Sequence, residues 1–188
     1  MNWREKVEEI LKKCWGLLPL LVVLICVALV KAIEALTGDT LRSVPRLILM
    51  GFGICSVAVA LLWANIRLIF ADIPLRVLGV LLKITIPILS CVLVVYLGAM
   101  SVVVMVFSYC PEHVVMYRGE KMVASVNSFL EIDVYYYQYK NPLFYGKRMA
   151  KEWYGSGGYD PFEKPDMPSV KSWTIYDTEG NVVEWGPK

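Results

Sequence analysis

The chain is poor in the side chains on which most enzyme and metal chemistry depends. It has one histidine, His113, and five cysteines that show neither zinc-ligand spacing nor the pattern of a disulfide framework. No Asp, Glu or His falls inside any of its three long apolar runs, so a proton relay through a membrane lacks its titratable parts. Charge of one sign is lacking too. With 19 basic against 17 acidic residues and a net charge of +2, no basic face interleaved with aromatics marks a nucleic-acid site. No catalytic residue, cofactor, metal or nucleic-acid partner is expected.

What the chain has in excess is apolar length. The runs are Cys14 to Val30, Leu47 to Trp63 and Ile84 to Phe107. At ~1.5 Å per helical residue the first two come close to spanning a ~30 Å hydrocarbon core and the third exceeds it. A composition 57% hydrophobic and 19% charged is too apolar for an ordinary soluble domain. An α-helical integral membrane protein is therefore expected, with three transmembrane helices over about 14–36, 47–70 and 73–108. The first run follows a charged start, as in a secretory signal. Lys31 to Thr40 offers no small-x-small cleavage site, so a retained helix is expected. Ahead of it, residues 1–13 carry Trp3, Val7, Ile10 and Leu11 at helical spacing, with charges between them. This reads as an amphipathic interfacial segment.

The connections and small residues give the arrangement of the spans. Gly38, Asp39 and Pro45 supply a stop, a turn and a restart, and Asp72 stands as N-cap before Pro74. Gly51, Cys55, Ser56 and Ala60 place small side chains at helical spacing, which suits close packing among the spans or a homo-oligomer. Arg67, Arg76 and Lys83 are expected at the lipid headgroups, where long basic chains extend toward water. A transport or channel component would use the same three charges along an ion path. Counting Lys and Arg beside the spans gives seven on the N-terminal side and five on the other. That bias places the N-terminus in the cytoplasm and the C-terminal domain outside.

From Tyr109 the composition changes, and residues 109–188 read as a small, β-rich, antiparallel domain in water. His113 to Arg118 and Lys121 to Val126 flank a two-residue turn at Gly119-Glu120, and Ser172 to Tyr176 and Val182 to Trp185 form a second hairpin. Leu130 to Tyr139 reads as a strand. Gly146 to Tyr154 reads as a short helix closed by Gly155, and 155–168 as a long loop.

Two features of this tail bear on function. Cys110, Glu112 and His113 are a thiol, a carboxylate and an imidazole close in sequence, the parts of an activated nucleophile. In an extended segment they alternate sides, which keeps thiol and imidazole apart. Ser156 lacks the spacing of a nucleophile elbow. The aromatic load is the second feature. Tyr135, Tyr137 and Tyr139 share one strand face, and with Tyr154 and Tyr159 they form a candidate partner surface, because tyrosines bury area at low entropic cost. A core or a membrane belt would use the same residues.

The expected function is a membrane binding or accessory protein in a bacterial-type plasma membrane. It contacts the lipid bilayer and presents the aromatic domain at the outer face to a protein or envelope partner, or to a second copy of itself. The transport component is the alternative, and a hydrolase or redox enzyme using Cys110 to His113 a weaker third.

Overall fold

In a computed structural model of the protein, residues 14–71, 76–164, 166 and 169–187 are described. The expected amphipathic segment at 1–13 and the Asp72 cap lie outside them. Three helices are long and apolar enough to cross a membrane: α1 (Leu18–Thr37), entered through a 3₁₀ turn at Trp15–Leu17, α2 (Ser43–Ile69) and α3 (Arg76–Ser108). An antiparallel sheet follows them in the chain. The architecture is the three-span, β-tailed one that the composition implies.

The described residues form two compact units, one drawn from 14–29 and 48–105, the other from 30–47 and 106–187. In the helical unit, most side chains are left open by the protein itself, as expected of helices whose solvent is lipid. Helix contacts are made through small and polar groups. A Cβ on Gly53 would sit 3.7 Å from Val23 of α1, and one on Gly51 would sit 3.8 Å from Met105 of α3. Ser56 and Ala60 are buried, whereas Cys55 is exposed. The tightest approach is at Gly16, where a Cβ would overlap the Trp63 ring. Between α2 and α3, the Ser90 hydroxyl donates to Asn65 Oδ1 at 3.3 Å, a polar link of the kind that joins helices in lipid.

The second unit is built on a sheet whose strands β2 (Glu112–Tyr117), β3 (Glu120–Asn127), β4 (Glu131–Tyr139), β5 (Phe144–Ser156), β6 (Ser172–Tyr176) and β7 (Val182–Pro187) follow one another as an antiparallel meander. The β2–β3 turn uses Arg118 (φ 50°) and Gly119 (φ 86°). These are the positive φ angles that a right-twisted two-residue hairpin demands, one position before the turn expected from sequence. The expected helix at 146–154 is absent, because these residues lie in β5. Lys147 to Glu152 are mostly good helix formers, but pairing with β4 on one side and β6 on the other satisfies their backbone and overrides local preference.

The connection between α1 and α2 is part of this unit. It contributes β1 (Thr40–Leu41), which pairs with Tyr145 and Phe144 at the start of β5. Glu112 of β2 holds it from the other side. One carboxylate oxygen takes the Arg42 Nε–H at 2.6 Å and the other the backbone N–H of Ser43 at 2.7 Å, which satisfies an open amide at the start of α2.

Register divides the sheet into two faces. Ala124, Val126, Ile132, Val134, Tyr136 and Ala150 build a fully buried core with Met122. After β5, Tyr159 and Phe162 pack against the core from this face. Their segment is pinned by Asp160, which is 8% exposed and meets His113 Nε2 at 2.7 Å. The sheet also curls. Arg118, at the β2–β3 turn, reaches β6 and β7, with its guanidinium 5.5 Å from the Trp173 ring and 3.8 Å from Glu184.

Candidate binding surface of the sheet

Two clusters of polar and aromatic side chains stand out, one on each face. On the core face, Glu152 collects three phenols. Tyr136 OH donates to Oε2 at 2.7 Å, Tyr154 OH to the same oxygen at 3.1 Å, and Tyr117 OH to Oε1 at 3.2 Å. The rings of Tyr117 and Tyr136 stack with centroids 4.0 Å apart. Burial, and then the Glu152 charge and hydrogen bonds, hold the Tyr136 and Tyr154 phenols far above their ordinary range. The cluster is one carboxylate that accepts from three phenols.

The opposite face is buried at Glu112, Val123 and Ser125 of β2 and β3 and more open over β4 to β7. Direct pairing lines up Glu112, Ser125, Tyr135, Lys151, Thr174 and Trp185 across six strands. Beside this row stand Tyr137 and Arg148, paired across β4 and β5. Its cations lie over its rings. Arg148 is 4.2 Å from the Tyr176 centroid and 5.9 Å from Tyr135, Lys151 is 5.3 Å from Tyr135, Lys121 is 4.1 Å from Tyr139, and Lys171 is 5.5 Å from Trp153. Such stacking orients a cation while leaving its charge available. Asp133 balances one of them, 3.0 Å from Lys151. Two grooves open between these side chains. One, of about 270 Å³, is lined by Glu131, Lys151, Trp153, Ser172 and Thr174; the other, of about 350 Å³, by Tyr137, Lys147, Arg148, Thr178, Glu179 and Gly180.

The tyrosines singled out from the sequence divide between these faces. Tyr135, Tyr137 and Tyr139 share this face and are half-buried, Tyr135 and Tyr139 beneath its cations, and Tyr137, crowded by Tyr145, has its phenol pushed up to about 12, chiefly by burial. Tyr154 and Tyr159 pack against the core of the other face. The cations Arg148 and Lys151 were not singled out in the sequence, since they fell in the segment read as helical, where no strand register could place them beside the tyrosines.

The span charges are dispersed. Arg67 is exposed, with its guanidinium 5.3 Å from the Trp63 ring. Lys83 is half-buried on α3, and the side chain of Arg76 lies outside the described residues. Cys110, Glu112 and His113 part company as alternation requires: Glu112 turns to Arg42 and His113 to Asp160. Burial, and then the charge of Glu112, raise the Cys110 thiol above its ordinary range, which disfavours a thiolate at neutral pH. Among the described residues no three or more His, Cys, Asp or Glu side chains converge as metal ligands. No protein-family model, no curated protein and no solved structure matches the chain.

Proposed function

We propose that the chain is a membrane-anchored binding protein whose sheet recruits an anionic partner, a protein or envelope polymer, through the open face of β4 to β7. The observation that carries this reading is Arg148 seated on the Tyr135 and Tyr176 rings and lining one groove with Lys147, whereas Lys151 in the other groove is paired with Asp133 and stands beside Glu131. Rings give contact area and the cations give charge complementarity, which together fix a partner without any bond-making step. Photo-crosslinking from Thr174 in native membranes tests it. Charge removal by Lys147→Ser with Arg148→Ser is expected to lower partner recovery at least about tenfold, the scale of losing one or two interface anchors. Added salt should weaken capture as well. Undiminished recovery by the folded double variant would reject the surface.

The same reading puts the sheet on the outer side of a bacterial-type plasma membrane, following the bias of seven basic residues against five. On a cysteine-free background, a Ser156→Cys thiol is expected to react with an impermeant reagent on intact cells. Reaction only after permeabilisation would reverse the orientation.

A further inference from the structure

We infer that the β3–β4 turn is a lipid anchor, with Phe129 and Leu130 inserted in the membrane interface beside the last turn of α3. Within this unit the Phe107 and Phe129 rings meet edge to face, with centroids 5.0 Å apart and planes at 70°. Phe107 belongs to the final turn of an apolar helix that runs to Ser108. A side chain in ring contact with it shares its depth, at the boundary between hydrocarbon and headgroups.

The exposures point the same way. Phe129 is 67% and Leu130 76% exposed, and the neighbouring Val106 and Phe107 of α3 are as open. Together they make one apolar patch that crosses from helix to turn. Single exposed apolar residues are ordinary, but two adjacent large ones at the tip of a turn, continuous with a span surface, are not. Lipid must already cover Val106 and Phe107, so the same solvent extends over the turn without a new partner. Asn127 and Glu131 on either side, both exposed, keep the rest of the turn in the headgroup layer.

This inference is independent of what the open face binds, and its test reads depth only. The full chain, free of native cysteines and carrying an environment-sensitive fluorophore at Leu130→Cys, is reconstituted in phosphatidylcholine–phosphatidylglycerol nanodiscs with and without doxyl-labelled lipid. Emission from position 130 is expected to be blue-shifted and quenched by the doxyl lipid. The same probe at Thr178→Cys, in the exposed β6–β7 turn, should be neither. A second pair that keeps the native cysteines, Leu130→Trp and Thr178→Trp, each read as its difference from the parent chain with its six tryptophans, should show the same contrast with brominated lipid. A probe at 130 that reads as water overturns the anchor. So does one that is blue-shifted but not quenched, which would mean that a protein covers the turn.

Discussion

Replacing Glu152 with alanine is expected to destabilise the sheet by about 3–5 kcal/mol, on the scale of ~1.5–3 kcal/mol for each hydrogen bond to a charged acceptor. Three tyrosine hydroxyls, of which Tyr136 is almost fully buried, would lose their acceptor at once. The sum falls short of three full bonds because Tyr117 and Tyr154 are partly open and can turn toward water. Glutamine keeps an acceptor oxygen and should cost less than half as much. Chemical unfolding of the full chain in nanodiscs, followed by tryptophan fluorescence, measures both variants. An unchanged midpoint for Glu152→Ala would mean that the phenols do not depend on this carboxylate.

Alkali is expected to unfold the same domain in a window set by these phenols. A tyrosine whose folded pKa lies above the ordinary value of ~10 contributes stability that is complete below that value and disappears as pH rises through the folded one. Tyr137 is pushed up to about 12, chiefly by burial, and Tyr136 and Tyr154 are held higher, chiefly by burial and by Glu152. Above pH ~10, therefore, each withholds its proton in the fold while the unfolded chain releases it. Each such group then costs ~1.4 kcal/mol of stability for every further pH unit up to its folded value. The last tyrosinate absorbance to appear should rise together with the change in tryptophan fluorescence, above the pH at which free tyrosine titrates. Full ionisation near pH 10 with the fold intact would contradict the packing of all three.

The sequence carried the spans and most of the strands because their signals are local. Hydropathy over twenty residues needs no knowledge of neighbours, and the alternation of Ile132, Val134 and Tyr136 with Asp133, Tyr135 and Tyr137 gives the two faces of β4 directly. β5 failed for the complementary reason. Lys147, Arg148, Met149, Ala150, Lys151 and Glu152 favour a helix in isolation, and the pairing that makes them a strand comes from β4 and β6. With β5 misread, neither cluster could be assembled. Glu152 gathers its phenols from three strands, and Arg148 meets Tyr176 of β6, the strand beside β5. The close approach of Gly16 to Trp63 was equally hidden, since nothing in the run around Cys14 shows which helix will face it.

The strand pair between β1 and β5 sets an order for biogenesis. Leu41 finds its partner Phe144 only after the whole of α3 has been made, and Arg42 waits for Glu112, 70 residues further on. Until the last span is threaded, Thr40 and Leu41 have no strand beside them and Ser43 lacks the carboxylate that takes its amide. Contacts this distant in sequence form late because chain closure must precede them. Completion of the first hairpin of spans is thereby tied to delivery of the C-terminal sheet to the same side. A chain in which the third helix failed to insert would leave β1 without its partner strand, exposing an unpaired segment that quality-control proteases can recognise.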